Sequence, residues 1–104
     1  MEIKVFMKSN QADYDAKGIY FEGKIKVLKG SKIRIRNEKD YKRINQSEMY
    51  RNNNEYVDKN MIVLKDIIFD SPSTAAQFVA DTSRNGLIYW RDKDNKKLKE
   101  ILKK

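Results

Sequence analysis

Chemistry in this chain must come from lysine, arginine, carboxylates, hydroxyls and tyrosine, because its 104 residues include no cysteine and no histidine. Disulfides are impossible, and zinc sites built on Cys or His are excluded. Cys–His and Ser–His–Asp nucleophile systems are excluded too. Proton transfer would fall to Asp, Glu, Lys or Tyr. Among the carboxylates are the close pairs Asp13/Asp15, Asp66/Asp70 and Asp92/Asp94. None has nearby the further oxygen ligands that a cation site wants. The stretch Asp92-Lys93-Asp94-Asn95 lacks the glycine and the distant glutamate of a calcium loop. Surface and turn roles are expected of all three pairs, so neither an enzyme nor a cofactor is expected.

Positive charge is the other resource. The formal net charge is +8, and it is uneven: residues 24–43 carry +7 and residues 91–104 carry +4. Two such blocks suit a surface that faces a polyanion; a lysine-rich composition inherited from an AT-rich genome is the competing account. Lys32, Arg34 and Arg36 alternate with Ile33 and Ile35, which puts the three cations on one face of a strand, roughly 6–7 Å apart. With Lys29 and Ser31 they are candidate phosphate contacts; the alternative is a solvated face guarding a sheet edge. Gly30-Ser31 is too short for a phosphate loop. Arg84, Asn85 and Trp90 form a second candidate group. Asn85-Gly86 reads as a tight hairpin turn, and Trp90 either stacks on a base or fills the core. Tyr89 and Tyr20 are further candidates for base contact. Ser71-Pro72-Ser73 opens a helix; its free N–H groups could face a phosphate, or the serines could simply cap it.

These residues need elements to hold them. At 39% hydrophobic and 11% aromatic, the chain has enough apolar material for a core and is not expected to be disordered. Its length suits one domain, residues 1–104. No stretch has the apolar length of a signal peptide or a membrane span, so a cytoplasmic protein without a membrane partner is expected. Period-two alternation predicts strands over Glu2–Lys8, Gly18–Phe21, Lys24–Leu28 and Lys32–Arg36, with a turn at Glu22-Gly23 and a loop over Ser9–Lys17. A helix is expected over Asp40–Asn53, strand over Met61–Phe69, and a helix after Ser71-Pro72. A turn at Arg84–Gly86 then leads to a strand over Leu87–Trp90. A turn at Asp92–Asn95 precedes a basic end helix over Lys97–Leu102. The fold class is α+β, a small antiparallel sheet of about five to six short strands with two to three helices.

Three segments in order carry a resemblance. They are Val27-Leu28-Lys29-Gly30-Ser31, then Asp66 through Phe69-Asp70-Ser71-Pro72-Ser73-Thr74-Ala75-Ala76-Gln77-Phe78-Val79, then Asn85-Gly86 with Trp90. The chain resembles a small domain family of unknown function found at the C-termini of GIY-YIG-type nucleases and of restriction–modification proteins. Its later half is more distantly similar to the RAMA domain, a module proposed to read modified DNA. This chain has Asp81 where family members often have glycine, Leu87 where they have tryptophan, and Asp94-Asn95 where they have an Asp-Gly turn. The resemblance implies a bacterial nuclease or restriction–modification setting.

The function expected is therefore a non-catalytic, nucleic-acid-binding accessory domain. DNA is favoured as partner, with phosphates held by the basic strand and the C-terminal face. The alternative is a protein–protein or oligomerisation module that tethers a nuclease or methylase subunit.

Overall fold

The computed structural model describes residues 2–35, 50–51, 53–82 and 84–103. The alternation at the N-terminus makes β1 (Glu2–Ser9), with Val5 and Met7 buried and Lys4 and Lys8 exposed. β1 pairs antiparallel with β2 (Tyr14–Phe21) along its whole length, from Glu2 opposite Phe21 to Ser9 opposite Tyr14. β2 turns into β3 (Lys24–Val27) through Glu22 and Gly23, whose φ angles are 48° and 82°. A two-residue loop with both φ positive matches the right-handed twist of the strands it joins. β4 (Ile67–Phe69) adds antiparallel to β3, giving the order β1-β2-β3-β4. Three helices follow among the described residues: α1 (Pro72–Ala80), α2 (Gly86–Tyr89) and α3 (Leu98–Leu102). The α+β class holds, with four strands among the described residues against the five to six expected.

One face of the sheet builds the core. Val5, Met7, Ala16, Ile25, Val27, Ile67 and Phe69 point to it and are buried. α1 lies on this face against β2, β3 and β4. Its Ala75 and Ala76 let the helix axis approach the strands, while Phe78 brings its ring to 4.9 Å from that of Phe69. Trp90 is fully buried beside them, and an added Cβ at Gly18 would lie 3.4 Å from its indole ring. No described helix is long and apolar enough to cross a membrane.

Four local expectations are corrected. β2 begins at Tyr14, inside the expected loop, because Tyr14, Ala16 and Gly18 continue the buried row of the strand. Over its described residues, 32–35, the expected Lys32–Arg36 segment is not a strand with one basic face. Lys32 makes isolated bridges to Asp15 and Ile62, and the Arg34 N–H then leaves the sheet to bond the Val79 carbonyl at 2.8 Å. Ile33 is thereby buried while Ile35 is 64% exposed. Arg36 lies outside the described residues, as does the helix expected over Asp40–Asn53 apart from its last residues, of which Tyr50 and Arg51 are helical. Nor is Leu87–Trp90 a strand after a hairpin turn. Asn85 instead caps α2, its Oδ1 accepting the Leu87 N–H at 3.0 Å. Within Met61–Phe69, strand is confined to β4, preceded by bridges at Ile62 and Val63.

A buried ion pair closes the far end of α1. Asp81 sits at the helix C-cap with φ 58°, and its carboxylate lies 3.5 Å from the Arg51 Nε. Both side chains are almost fully buried. Arg51 also donates to the Phe78 carbonyl at 2.8 Å and the Arg34 carbonyl at 2.7 Å. Burial of a guanidinium is tolerable only with a counter-charge and acceptors of this kind. Asn95, like Asp81, is left-handed at φ 66°. Both positions suit glycine, and Asp and Asn are the residues that best stand in for it there.

Candidate nucleic-acid interface

The Ser-Pro-Ser, Asn-Gly and Trp segments meet in one structural joint. Ser71 caps α1, its Oγ accepting the Thr74 N–H at 3.1 Å. The Ser73 Oγ accepts the Gly86 N–H, and the Pro72 carbonyl accepts the Trp90 indole N–H, both at 3.1 Å. Gly86 is pressed so close that a Cβ there would lie 2.1 Å from the Pro72 carbonyl carbon. The start of α2 therefore occupies the start of α1. Ser71 and Ser73 are engaged by the fold, and Trp90, with no exposed surface, cannot stack on a base in this conformation. Its role is core.

The Val27–Ser31 segment is a second joint. Gly30 has φ 91°, and its N–H bonds the Val63 carbonyl at 2.8 Å. Ser31 is buried, and its hydroxyl both accepts the Lys17 N–H at 3.0 Å and donates to the Lys17 carbonyl at 3.2 Å. The Asp66 carboxylate accepts the Lys29 N–H at 2.8 Å. The side chain of Lys29 is left on the surface. Lys32 reaches Asp13 at 2.9 Å. Asp92 behaves in the same way: its Oδ1 accepts the N–H groups of Asp94 and Lys96, each at 2.9 Å.

Arg34 and Arg84 come together elsewhere. They line a hollow of about 340 Å³ with Ser9, Tyr14 and Tyr89. The guanidinium of Arg84 lies over the Tyr89 ring, 5.3 Å from its centroid. That distance is within cation–π range. Ser9, Tyr14 and Tyr89 also line a groove of about 710 Å³ along β1, together with Lys8, Arg91 and Lys93. Arg91 is fixed there by its backbone, which pairs with Phe6 on the outer edge of β1. Burial pushes the Tyr14 hydroxyl above its usual 10.0, against the opposing pull of Arg84 and Arg34. Arg34, Arg84 and Tyr14 line the same hollow.

Of the residues expected to bind, Arg34 and Arg84 share this hollow and Asn85 is exposed beside it in sequence. Lys29 and Ser31 line a separate small recess of about 220 Å³ with Asp15 and Lys17. Sequence reasoning missed Tyr14, Lys8, Arg91 and Lys93. The first two were legible, since Lys8 ends the β1 alternation and Tyr14 starts that of β2 in the same period. Arg91 and Lys93 reach the groove only through the pairing of Arg91 with Phe6, which no local pattern announces.

A family model described as Domain of unknown function (DUF4357) matches residues 5–102. No curated protein and no solved structure matches the chain.

Proposed function

The chain belongs to the DUF4357 family, and from its own surface we propose that it is a non-catalytic nucleic-acid-binding accessory domain acting beside nuclease or restriction–modification enzymes. The observation that carries this reading is the hollow that Arg34 and Arg84 share with the half-exposed Tyr89, a residue that also lines the groove of Lys8, Arg91 and Lys93. Arginine beside an aromatic ring is suited to a phosphodiester chain, since the guanidinium takes phosphate oxygens and the ring takes a base or sugar. The three-part resemblance supports the setting, and a cytoplasmic location and a preference for DNA go with it.

The test is fluorescence anisotropy of labelled oligonucleotides against rising salt. Binding should weaken with a log–log slope of about −0.9 per phosphate contact on duplex and about −0.7 on a single strand. The double variant Arg34→Gln, Arg84→Gln should flatten the slope by about two contacts. Affinity that ignores salt would contradict the reading. A second reading, docking onto a protein partner, has Ile35 in its favour, 64% exposed. Sedimentation as a strict monomer, with nothing retained from lysate, would count against it.

A further inference from the structure

The face of the sheet opposite the core has a composition of its own. The odd-even register puts Phe6 opposite Lys17, and Phe21 opposite Lys24. Ile19 lies between Lys4 on one side and Lys26 on the other, and Lys26 in turn faces Ile68. Phe6, Ile19, Phe21 and Ile68 thus each have a lysine directly across on a neighbouring strand, about 5 Å away, and Phe21 has Glu2 across from it on the other side. The carboxylates on the face are Glu2 and Asp15. None of the described helices covers it: α1 lies on the opposite face, and Ile68 remains 47% exposed.

We propose that this open face binds single-stranded nucleic acid, with bases lying on Phe6 and Phe21 and phosphates drawn to Lys4, Lys17, Lys24 and Lys26. The inference rests on the nucleic-acid reading above and names its substrate class. The argument is one of charge and shape. A lysine-rich surface attracts a polyanion. Flat aromatic and aliphatic side chains between the lysines take the faces of unstacked bases, whereas a duplex hides those faces and is read only by a part that enters a groove. Phe6 also lines the β1 groove, so a strand lying on the face continues along Arg91 toward Tyr89. The alternative is that the lysine stems merely shield the apolar side chains from water. Shielding predicts no preference for single strands.

The experiment compares oligothymidine, oligouridine and a mixed-sequence duplex by anisotropy at low salt. It uses the unmodified chain, the variant Phe6→Leu, Phe21→Leu, and the variant Lys24→Gln, Lys26→Gln. Leucine keeps the strand apolar and removes the ring; of the lysine pair Lys24 is exposed and Lys26 half-buried, and circular dichroism checks that both variants fold. Tighter binding of a single strand than of duplex, and a loss of about tenfold in single-strand affinity in the phenylalanine variant with duplex unchanged, would bear the proposal out. Oligothymidine against oligouridine then tells DNA from RNA. Unchanged single-strand affinity in both folded variants would overturn it, while a salt-dependent loss on Arg34→Gln, Arg84→Gln would leave the nucleic-acid reading standing. Absence of binding to any of the three at low salt would overturn both. Concentration-dependent dimers abolished by the phenylalanine variant would overturn it in favour of a second copy as occupant.

Discussion

Gly86 illustrates how a single residue can be fixed by space alone. Alanine there would put its methyl group 2.1 Å from one backbone atom of Pro72 and 2.2 Å from another. Backbone cannot give way as a flexible side chain does, so Gly86→Ala should cost about 3 kcal/mol or more. The single tryptophan, buried at the same joint, reports the shift in urea midpoint directly. Asp81→Asn keeps the left-handed backbone acceptable and removes the charge that faces Arg51. Leaving a buried guanidinium without its counter-charge should cost about 3–5 kcal/mol. Lys32→Gln, by contrast, removes an exposed pair with Asp13 and should change the midpoint little. Tyr14 adds a pH dependence. Its hydroxyl pKa is raised in the folded state above 10.0 by burial, so the folded state holds that proton more tightly. Its contribution is fully present below pH 10 and is lost as pH rises through the raised value. Stability of the unmodified chain should therefore fall faster than that of Tyr14→Phe in alkaline urea titrations; parallel curves would contradict this.

At the scale of elements, α1 was the most legible. Its serine cap, its proline at the first turn and its run of small apolar residues are local signals, and Ser71→Ala should cost about 1 kcal/mol by unfolding in urea. β1 and the Glu22-Gly23 hairpin were legible for the same reason. α2 was not. Asn-Gly is a hairpin signal when read locally, but Gly86 is required by the approach of Pro72 and Ser73, thirteen residues before it. The segment from Lys32 kept its alternation in sequence and lost it in space, because Ser31 bonds Lys17 and Arg34 bonds Val79. The candidate site follows this division. Arg34 and Arg84 were named from charge, and their meeting at Tyr89 depends on where β2 starts and how α2 lies. Trp90, the most conspicuous residue of the sequence, belongs to the core.

The whole molecule separates into a core face that fixes the fold and a surface that carries the charge. All three segments of the family resemblance are spent on the joints at Pro72 and Ser31, which hold the fold. The proposed binding is left to side chains outside those segments: the arginines around Tyr89 and the lysine rows of the open sheet. The net charge of +8 gives long-range attraction to any polyanion; the claim at issue is that the attraction ends in contact on these surfaces. The most direct measurement is a backbone amide NMR titration with short single-stranded and duplex DNA, at low and then moderate salt. The account predicts shifts confined to the outer faces of β1, β2 and β3 and to Arg34, Arg84 and Tyr89, fading as salt rises. No shifts at low salt, where phosphate binding is strongest, would contradict it and turn the search to a protein partner.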